Sequence, residues 1–419
     1  MAHFILSSAG THGDVFPYIA LGKALRQRGN RVTLAVPEGY GPLVNNLGME
    51  FASIVSDEEI NSFLDNPDVW HPLKSALLGA KWGVSSLREQ YNLLADLSSG
   101  PDAVLAVSPA LMAARMVQEK LNRPLATVYH LPWIIPSSKS PPAMTSGMTL
   151  PGWAPAPVGR LYWWGMDQAG RMLMGGKLNA FRASLGLPPV KRIFKWWMSP
   201  DLCVALFPSW YAIPQSDWPP QMKVAGFPSF DGDDQELTGE VRLFCRGNGD
   251  ERPVIFTFGS GMKHARSLFQ AGVDACERSG RRGILLARDS AQIPDALPKS
   301  VRHFDYVPLG KLLPLCSGIV HHGGIGTTAR SLAAGIPQLI IPHAWDQLDN
   351  ALHVMRLGAG SRLRRGRVNA GRLAAALDLV LTEQSSVNCW EIAEKYRLAN
   401  LWDRAPLWLE EFAAEQLGR

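Results

Sequence analysis

Twice in this chain a short apolar run ends in a glycine turn that opens a segment of helical periodicity. In the first case "HFILSS" (3–8) leads through "AGTHGDVF" (9–16) into "PYIALGKALRQRG" (17–29), with Gly29 as the stop. In the second, "SGIVHH" (317–322) leads through "GGIG" (323–326) into "TTARSLAAG" (327–335). Each unit is followed by another strand-like run, "RVTLAV" (31–36) and "QLIIP" (338–342). Strand, turn, helix, strand is the βαβ unit, which pairs its strands in parallel and covers the sheet with helices. This order restricts the chain to the α/β class.

Further strands are expected at 102–107, 125–130 and 202–207, and, in a second series, at 253–258, 283–288, 302–307 and 360–363. Between the two series lies "GFPSFDGDDQELTGE" (226–240), rich in Gly, Pro and acids, which reads as a linker. A chain of 419 residues is long for one compact core. The expected architecture is therefore two doubly wound domains. The first covers 1–226, the linker 227–240 and the second 241–396, with a last helix at about 397–419 that packs back on the first domain. Ligands of such sheets sit beyond the carboxyl ends of the strands, and two facing domains leave a cleft. Residues 131–165, dense in Pro and Trp, read as a long loop, and the helical tail is expected to break at Pro406.

Composition excludes several functions. A net charge of +5 is mild for this length, and no basic stripe carries interleaved stacking aromatics, so nucleic-acid binding is disfavoured. The five cysteines are scattered and never spaced C-x-x-C, which argues against a disulfide framework or a zinc site. The N-terminus has no basic run ahead of a signal-length apolar stretch, and no segment reaches the roughly 18 apolar residues of a membrane span. A cytoplasmic protein is expected.

Polar chemistry gathers at the ends of the apolar runs. Gly323, Gly324 and Gly326 let backbone N–H groups approach a ligand, and a helix starting near Thr327 adds unpaired donors and a positive dipole end. Thr327 or Thr328 can cap that helix or donate to a phosphate oxygen, and His321 adds another donor. After the next strand, Asp346 and Gln347 supply acceptors and a donor suited to adjacent sugar hydroxyls. Ser260, in "FTFGSGM", and Val307, in "YVPLG", offer a phosphate donor and a backbone edge for a pyrimidine. In the first half, Asp14 and His12 sit on the turn after the first strand. Either can take a proton from an attacking hydroxyl, while Asp14 can equally cap the following helix.

These residues resemble the two-domain inverting nucleotide-sugar glycosyltransferases called GT-B, the family that includes plant and macrolide enzymes. "HHGGIGT" followed by "DQLDNA" is similar to the family's donor motif, and "GTHGDVFP" to the turn that opens its bacterial members. "PVKRIFKWWMSP" and "GFPSFDG" are similar to a subgroup of bacterial rhamnosyltransferases that join dTDP-L-rhamnose to a hydroxyalkanoyloxyalkanoate. The resemblance implies two Rossmann-like domains facing across a cleft, and a dTDP- or UDP-sugar as donor. It implies Asp14 as base, with His12 the alternative, an apolar hydroxylated acceptor, and no cofactor or metal. Neither His12 nor His322 is fixed by the subgroup, and His322 receives no role. A UDP-glucose enzyme acting on a sterol, polyketide or phenol is the alternative within enzymes. A catalytically silent partner protein that binds the nucleotide-sugar is the alternative outside them.

"DGDD" (231–234) imitates a metal motif of a different glycosyltransferase fold but falls in the expected linker. His343 and His353 lack ligand spacing. "SRLRRGR" (361–367) reads as a solvated basic edge. Ten of the fourteen tryptophans precede residue 226, which suits a large apolar acceptor pocket and a peripheral contact with the inner membrane.

Overall fold

The computed structural model describes residues 1–144, 150, 154–228, 230, 236–247 and 251–418. Strands β1 (His3–Ser7), β2 (Arg31–Val36), β3 (Glu50–Ser53), β4 (Ala103–Val107), β5 (Leu125–Tyr129), β6 (Leu202–Ala205) and β7 (Met222–Val224) form one sheet. Strands β8 (Val254–Thr257), β9 (Gly283–Leu286), β10 (Val301–Phe304), β11 (Gly318–His321), β12 (Gln338–Ile340) and β13 (Gly360–Arg362) form another. The orders are β3-β2-β1-β4-β5-β6-β7 and β10-β9-β8-β11-β12-β13, with every pair parallel. Strand order reverses between β1 and β4 and between β8 and β11. These are the switch points where doubly wound sheets open a crevice.

The helices that matter below are α1 (His12–Gln27), α2 (Lys74–Gly83), α3 (Ala156–Ser184), α4 (Ile325–Ala334), α5 (Gln347–Arg356), α6 (Glu383–Ala399) and α7 (Arg404–Gln416). The central strands are apolar on both faces because helices cover both. Phe4 and Leu6 of β1 point into a core with Val15, Ile19 and Leu25 of α1, whereas Ile5 points into the opposite core with Leu105 and Met116. Each such side chain, fully removed from water, contributes roughly 1.5–3 kcal/mol. Alternate burial on two faces is why these strands read as unbroken apolar runs.

Two strands were not expected, β3 and β7. Both are short edge strands whose residues are only half-buried or exposed, so no apolar run marks them. The expected loop over 131–165 needs correction, because α3 already begins at Ala156 and runs for 29 residues. Its Pro157 lies in the first turn, where a missing N–H costs no hydrogen bond, so the proline that suggested a loop in fact opens a helix. The tail breaks before Pro406, which again occupies the first turn of a helix, α7. In the expected linker, residues 229 and 231–235, including the "DGDD" stretch, lie outside the described residues. Helix α7 packs on the first sheet: Ala405, Leu409 and Phe412 share a core with Phe4 and Val32. Glu410 pairs with Arg28 at 2.8 Å and accepts from Asn30 at 2.7 Å.

Candidate active site between the two sheets

The turns that follow β1, β8 and β11 meet across one cleft of about 590 Å³. Thr11, His12, Gly13 and His130 line it from the first sheet. Ser260, Val307, His322, Gly324, Gly326 and Thr327 line it from the second. The N-terminal turns of α1 and α4 touch, since a Cβ built on Gly326 lies 3.8 Å from the Gly13 Cα. Two helix N-termini therefore point their unpaired donors at the same space, a setting that favours an anion. Arg288 and Arg330 add positive charge to the wall.

Helix α1 begins at His12, five residues ahead of the expected Pro17 start, and Asp14 is its third residue. The capping reading of Asp14 is realised. Its Oδ2 accepts from the Thr11 backbone N–H at 2.8 Å and from the Thr11 hydroxyl at 3.2 Å, the arrangement of a capping box. Its Oδ1 lies 3.1 Å from His130 Nε2. The carboxylate is 34% exposed and held from two sides. With Asp14 ionised, the His130 Nε2 must carry the proton that binds it. His130 was not among the expected site residues. It follows directly on β5, and a histidine at the carboxyl end of a central strand was the available signal.

His12 is packed rather than tethered. Its ring stacks on Phe16 at 4.6 Å and meets Tyr40 edge-on at 5.7 Å. Burial, reinforced by Arg288 and Arg330, lowers its pKa to about 4, so it is neutral at pH 7 and a weak base.

On the second sheet, the two histidines divide their tasks. His321 is fully buried: Nδ1 accepts from the Gly323 N–H at 3.1 Å and Nε2 lies 3.0 Å from Gln338 Oε1. Both nitrogens thus bind the protein, and burial lowers its pKa to about 3. The expectation that His321 donates to a phosphate is corrected on this ground, because it has no ring nitrogen left to reach the cleft. The next residue, His322, lines the cleft instead, and burial lowers its pKa to about 4. Its ring is framed by glycines. A Cβ on Gly259 (φ +95°) would sit 2.8 Å from that ring, and one on Gly324 would sit 2.5 Å from its Nε2. Gly323, also at φ +95°, makes the turn itself. Helix α4 starts at Ile325 with Gly324 as N-cap, two residues ahead of Thr327.

Asp346 and Gln347 open α5 but do not share the expected role. Gln347 is 3% exposed, and its Oε1 accepts from the N–H groups of His343 at 2.7 Å and Ala344 at 3.2 Å. Its acceptor therefore shapes the turn and is closed to a sugar hydroxyl. Asp346 accepts from Asn350 Nδ2 at 2.6 Å, and Asn350 in turn donates to the Gly323 carbonyl at 2.8 Å. Tyr211, from the first half, donates to Asn350 Oδ1 at 2.8 Å. Burial and the charge of Asp14 raise the Asp346 pKa to about 7. The charge of Asp14 therefore reaches Asp346.

That coupling carries an expectation for stability. The Asp346 pKa is raised from an ordinary 3.8, so the folded chain holds this proton more tightly than the unfolded one. The associated stability is fully present below about pH 4 and is lost as pH rises through about 7. Asp346→Asn should therefore melt at a higher temperature than the parent at pH 8 without ligand, with the gap closing towards pH 4. Thermal melts across that range check it, and a gap independent of pH contradicts the assignment.

Among the described residues, no group of three or more His, Cys, Asp or Glu is arranged to hold a metal ion. No described helix is long and apolar enough to cross a membrane.

Both halves of the chain resemble known proteins. Residues 4–137 match the glycosyltransferase family 28 N-terminal domain. Residues 282–400 match the C-terminal domain of the erythromycin biosynthesis protein CIII-like family. The O-mycaminosyltylonolide 6-deoxyallosyltransferase of Streptomyces fradiae is 28% identical, over 97% of both chains. The sterol 3-beta-glucosyltransferase of Candida albicans is 29% identical over 86% of this chain, which spans only 24% of that longer protein. The crystal structure of the glycotransferase of kitacinnamycin superposes with a TM-score of 0.76 at 19% identity, covering 98% of this chain and 99% of that one. The fold is the two-sheet GT-B architecture, with a cleft between the sheets. The chain is a glycosyltransferase whose N-terminal part resembles the family 28 domain and whose C-terminal part resembles the CIII-like domain.

Proposed function

We propose that the chain moves a 6-deoxyhexose, L-rhamnose from dTDP-L-rhamnose, to a hydroxyl of a lipid-like acceptor by single displacement with inversion. The observation that carries the mechanism is Asp14, a carboxylate fixed by Thr11 and His130 on a turn that touches the N-terminus of α4. Asp14 takes the proton of the acceptor hydroxyl as that oxygen attacks the anomeric carbon. His130 holds Asp14 in place and, through its proton on Nε2, keeps the carboxylate's second oxygen oriented. The departing nucleoside diphosphate gathers charge opposite His322, Ser260, Thr327 and the glycine amides, with Arg288 and Arg330 behind them. Val307 borders the base end, and Asp346 accepts from sugar hydroxyls.

A 6-deoxyhexose donor is supported by the Streptomyces relative, which is by name a 6-deoxyallosyltransferase. Rhamnose and a hydroxyalkanoyloxyalkanoate acceptor are supported by "PVKRIFKWWMSP" and "GFPSFDG", and the apolar acceptor by the tryptophans of the first half. UDP-glucose with a sterol is the second reading, favoured by the Candida relative. Fixed donors carry the diphosphate charge in this mechanism, so EDTA should leave turnover intact. Loss in EDTA that magnesium restores contradicts that part. The stereochemistry is checked by proton NMR of the fresh product, whose anomeric configuration should be opposite to that of the donor.

A further inference from the structure

We propose that the outer face of α3 docks on an anionic phospholipid surface, so that the enzyme works as a peripheral protein. The inner face of this 29-residue helix is conventional, with Trp163, Met174, Leu178 and Phe181 buried. The outer face is not. Leu161 is 65% exposed, Trp164 59% and Met172 76%, and Val158 and Leu173 also stand open. On a surface helix this face normally carries the charged residues. Helix α2 packs against α3 and exposes Leu73 and Leu77 as well. Contiguous exposed apolar side chains on a soluble chain mark an interaction site, whereas scattered ones do not.

The charges select the partner. The exposed charged residues of α3 are Arg160, Arg171 and Lys177, all cationic. Its one acid, Asp167, is buried and paired with Arg192 at 3.0 Å. The short helix Ile193–Trp196, packed on α3, adds an exposed Lys195. An apolar stripe with a tryptophan, flanked by lysine and arginine, is the composition of a helix that lies in the headgroup layer. Each cation near an anionic surface adds an attraction that apolar insertion alone does not supply. A second copy of this chain would bring the same cations face to face, which disfavours self-association. Leu161, Met172, Arg160 and Arg171 are not among the residues that line the cleft, so they can be changed without removing a group from it.

The test is sedimentation of the full chain with vesicles of phosphatidylcholine alone or mixed equally with phosphatidylglycerol. The protein should pellet with the mixed vesicles, stay in solution with the neutral ones, and be released by high salt. Leu161→Ser with Met172→Ser, and separately Arg160→Glu with Arg171→Glu, should each weaken partitioning by at least about tenfold. Without vesicles, both variants should keep parental melting temperature and turnover on a short, water-soluble acceptor. No pelleting with mixed vesicles, or pelleting that neither pair of substitutions weakens, overturns the proposal. So does a dimer in solution that the same substitutions dissociate, because the face would then belong to a second copy.

Discussion

Asp14→Asn should lower turnover by about 10²–10⁴-fold while leaving dTDP affinity nearly unchanged, the range expected when a positioned general base is lost. The substitution is well suited to isolate the chemistry. The Asn oxygen can still accept from the Thr11 N–H, so the cap of α1 and the turn it shapes survive. What is lost is the negative charge and the capacity to take a proton. His130 then faces an amide instead of a carboxylate, and its tautomer can adjust to accept. Steady-state kinetics with a parallel titration of dTDP separate the two effects. If turnover survives in Asp14→Asn and disappears in His12→Ala, the base is His12. The packing of His12 between Phe16 and Tyr40, with a pKa lowered to about 4, argues for the first outcome.

The second large effect is expected at the diphosphate seat, where neighbouring histidines should respond in different ways. His322→Ala removes a ring that lines the cleft between Gly259 and Gly324. Removing one donor to a developing anion costs roughly 10²–10³-fold in turnover, and dTDP or UDP should bind more weakly as well. Thr327→Val, at the N-terminal turn of α4, should act in the same direction with a smaller loss. His321→Ala should instead appear as lost stability. It leaves the Gly323 N–H and the Gln338 amide without their partner in a buried setting, a cost of roughly 1–3 kcal/mol for each group. Calorimetric titration with dTDP, read beside thermal melts, distinguishes the two. Weaker dTDP binding in His321→Ala at full stability, with His322→Ala unchanged, would reverse the assignment.

Much of the fold was legible because the central strands are covered on both sides. β1, β4, β8 and β11 read as unbroken apolar runs, and the glycine turns after β1 and β11 announced the switch points. Edge strands β3 and β7 lack that signature, since half their surface meets solvent. The start of α3 was obscured by prolines that help a helix begin but look in sequence like a loop. At the site, the strand ends located turns that border the cleft, but a turn does not say which of two adjacent side chains enters it. His321 and His322 are chemically identical, and only the path of the chain leaving β11 turns one into the core and the other outward. Gln347 divides its amide for a similar reason, its acceptor being drawn to local N–H groups that no motif displays. The coupling of Asp346 to Asp14, and the contact of Asp14 with His130, join residues from distant parts of the chain. The first exists only once both halves have folded, and the second only once the turn after β1 meets the end of β5.

The central claim is tested most directly by a donor-by-acceptor turnover screen of the purified chain, read by mass spectrometry. dTDP-L-rhamnose and UDP-glucose are each offered with a β-hydroxyalkanoyloxyalkanoate, a sterol and a phenol. The account predicts that dTDP-L-rhamnose with the lipid is fastest, and that the product is one deoxyhexose heavier than the acceptor. Faster transfer from UDP-glucose to a sterol or phenol would remove the rhamnose and lipid assignments and leave a glycosyltransferase of other substrates. Nucleotide-sugar binding without transfer to any acceptor would contradict the role of Asp14 as a base, and with it the mechanism.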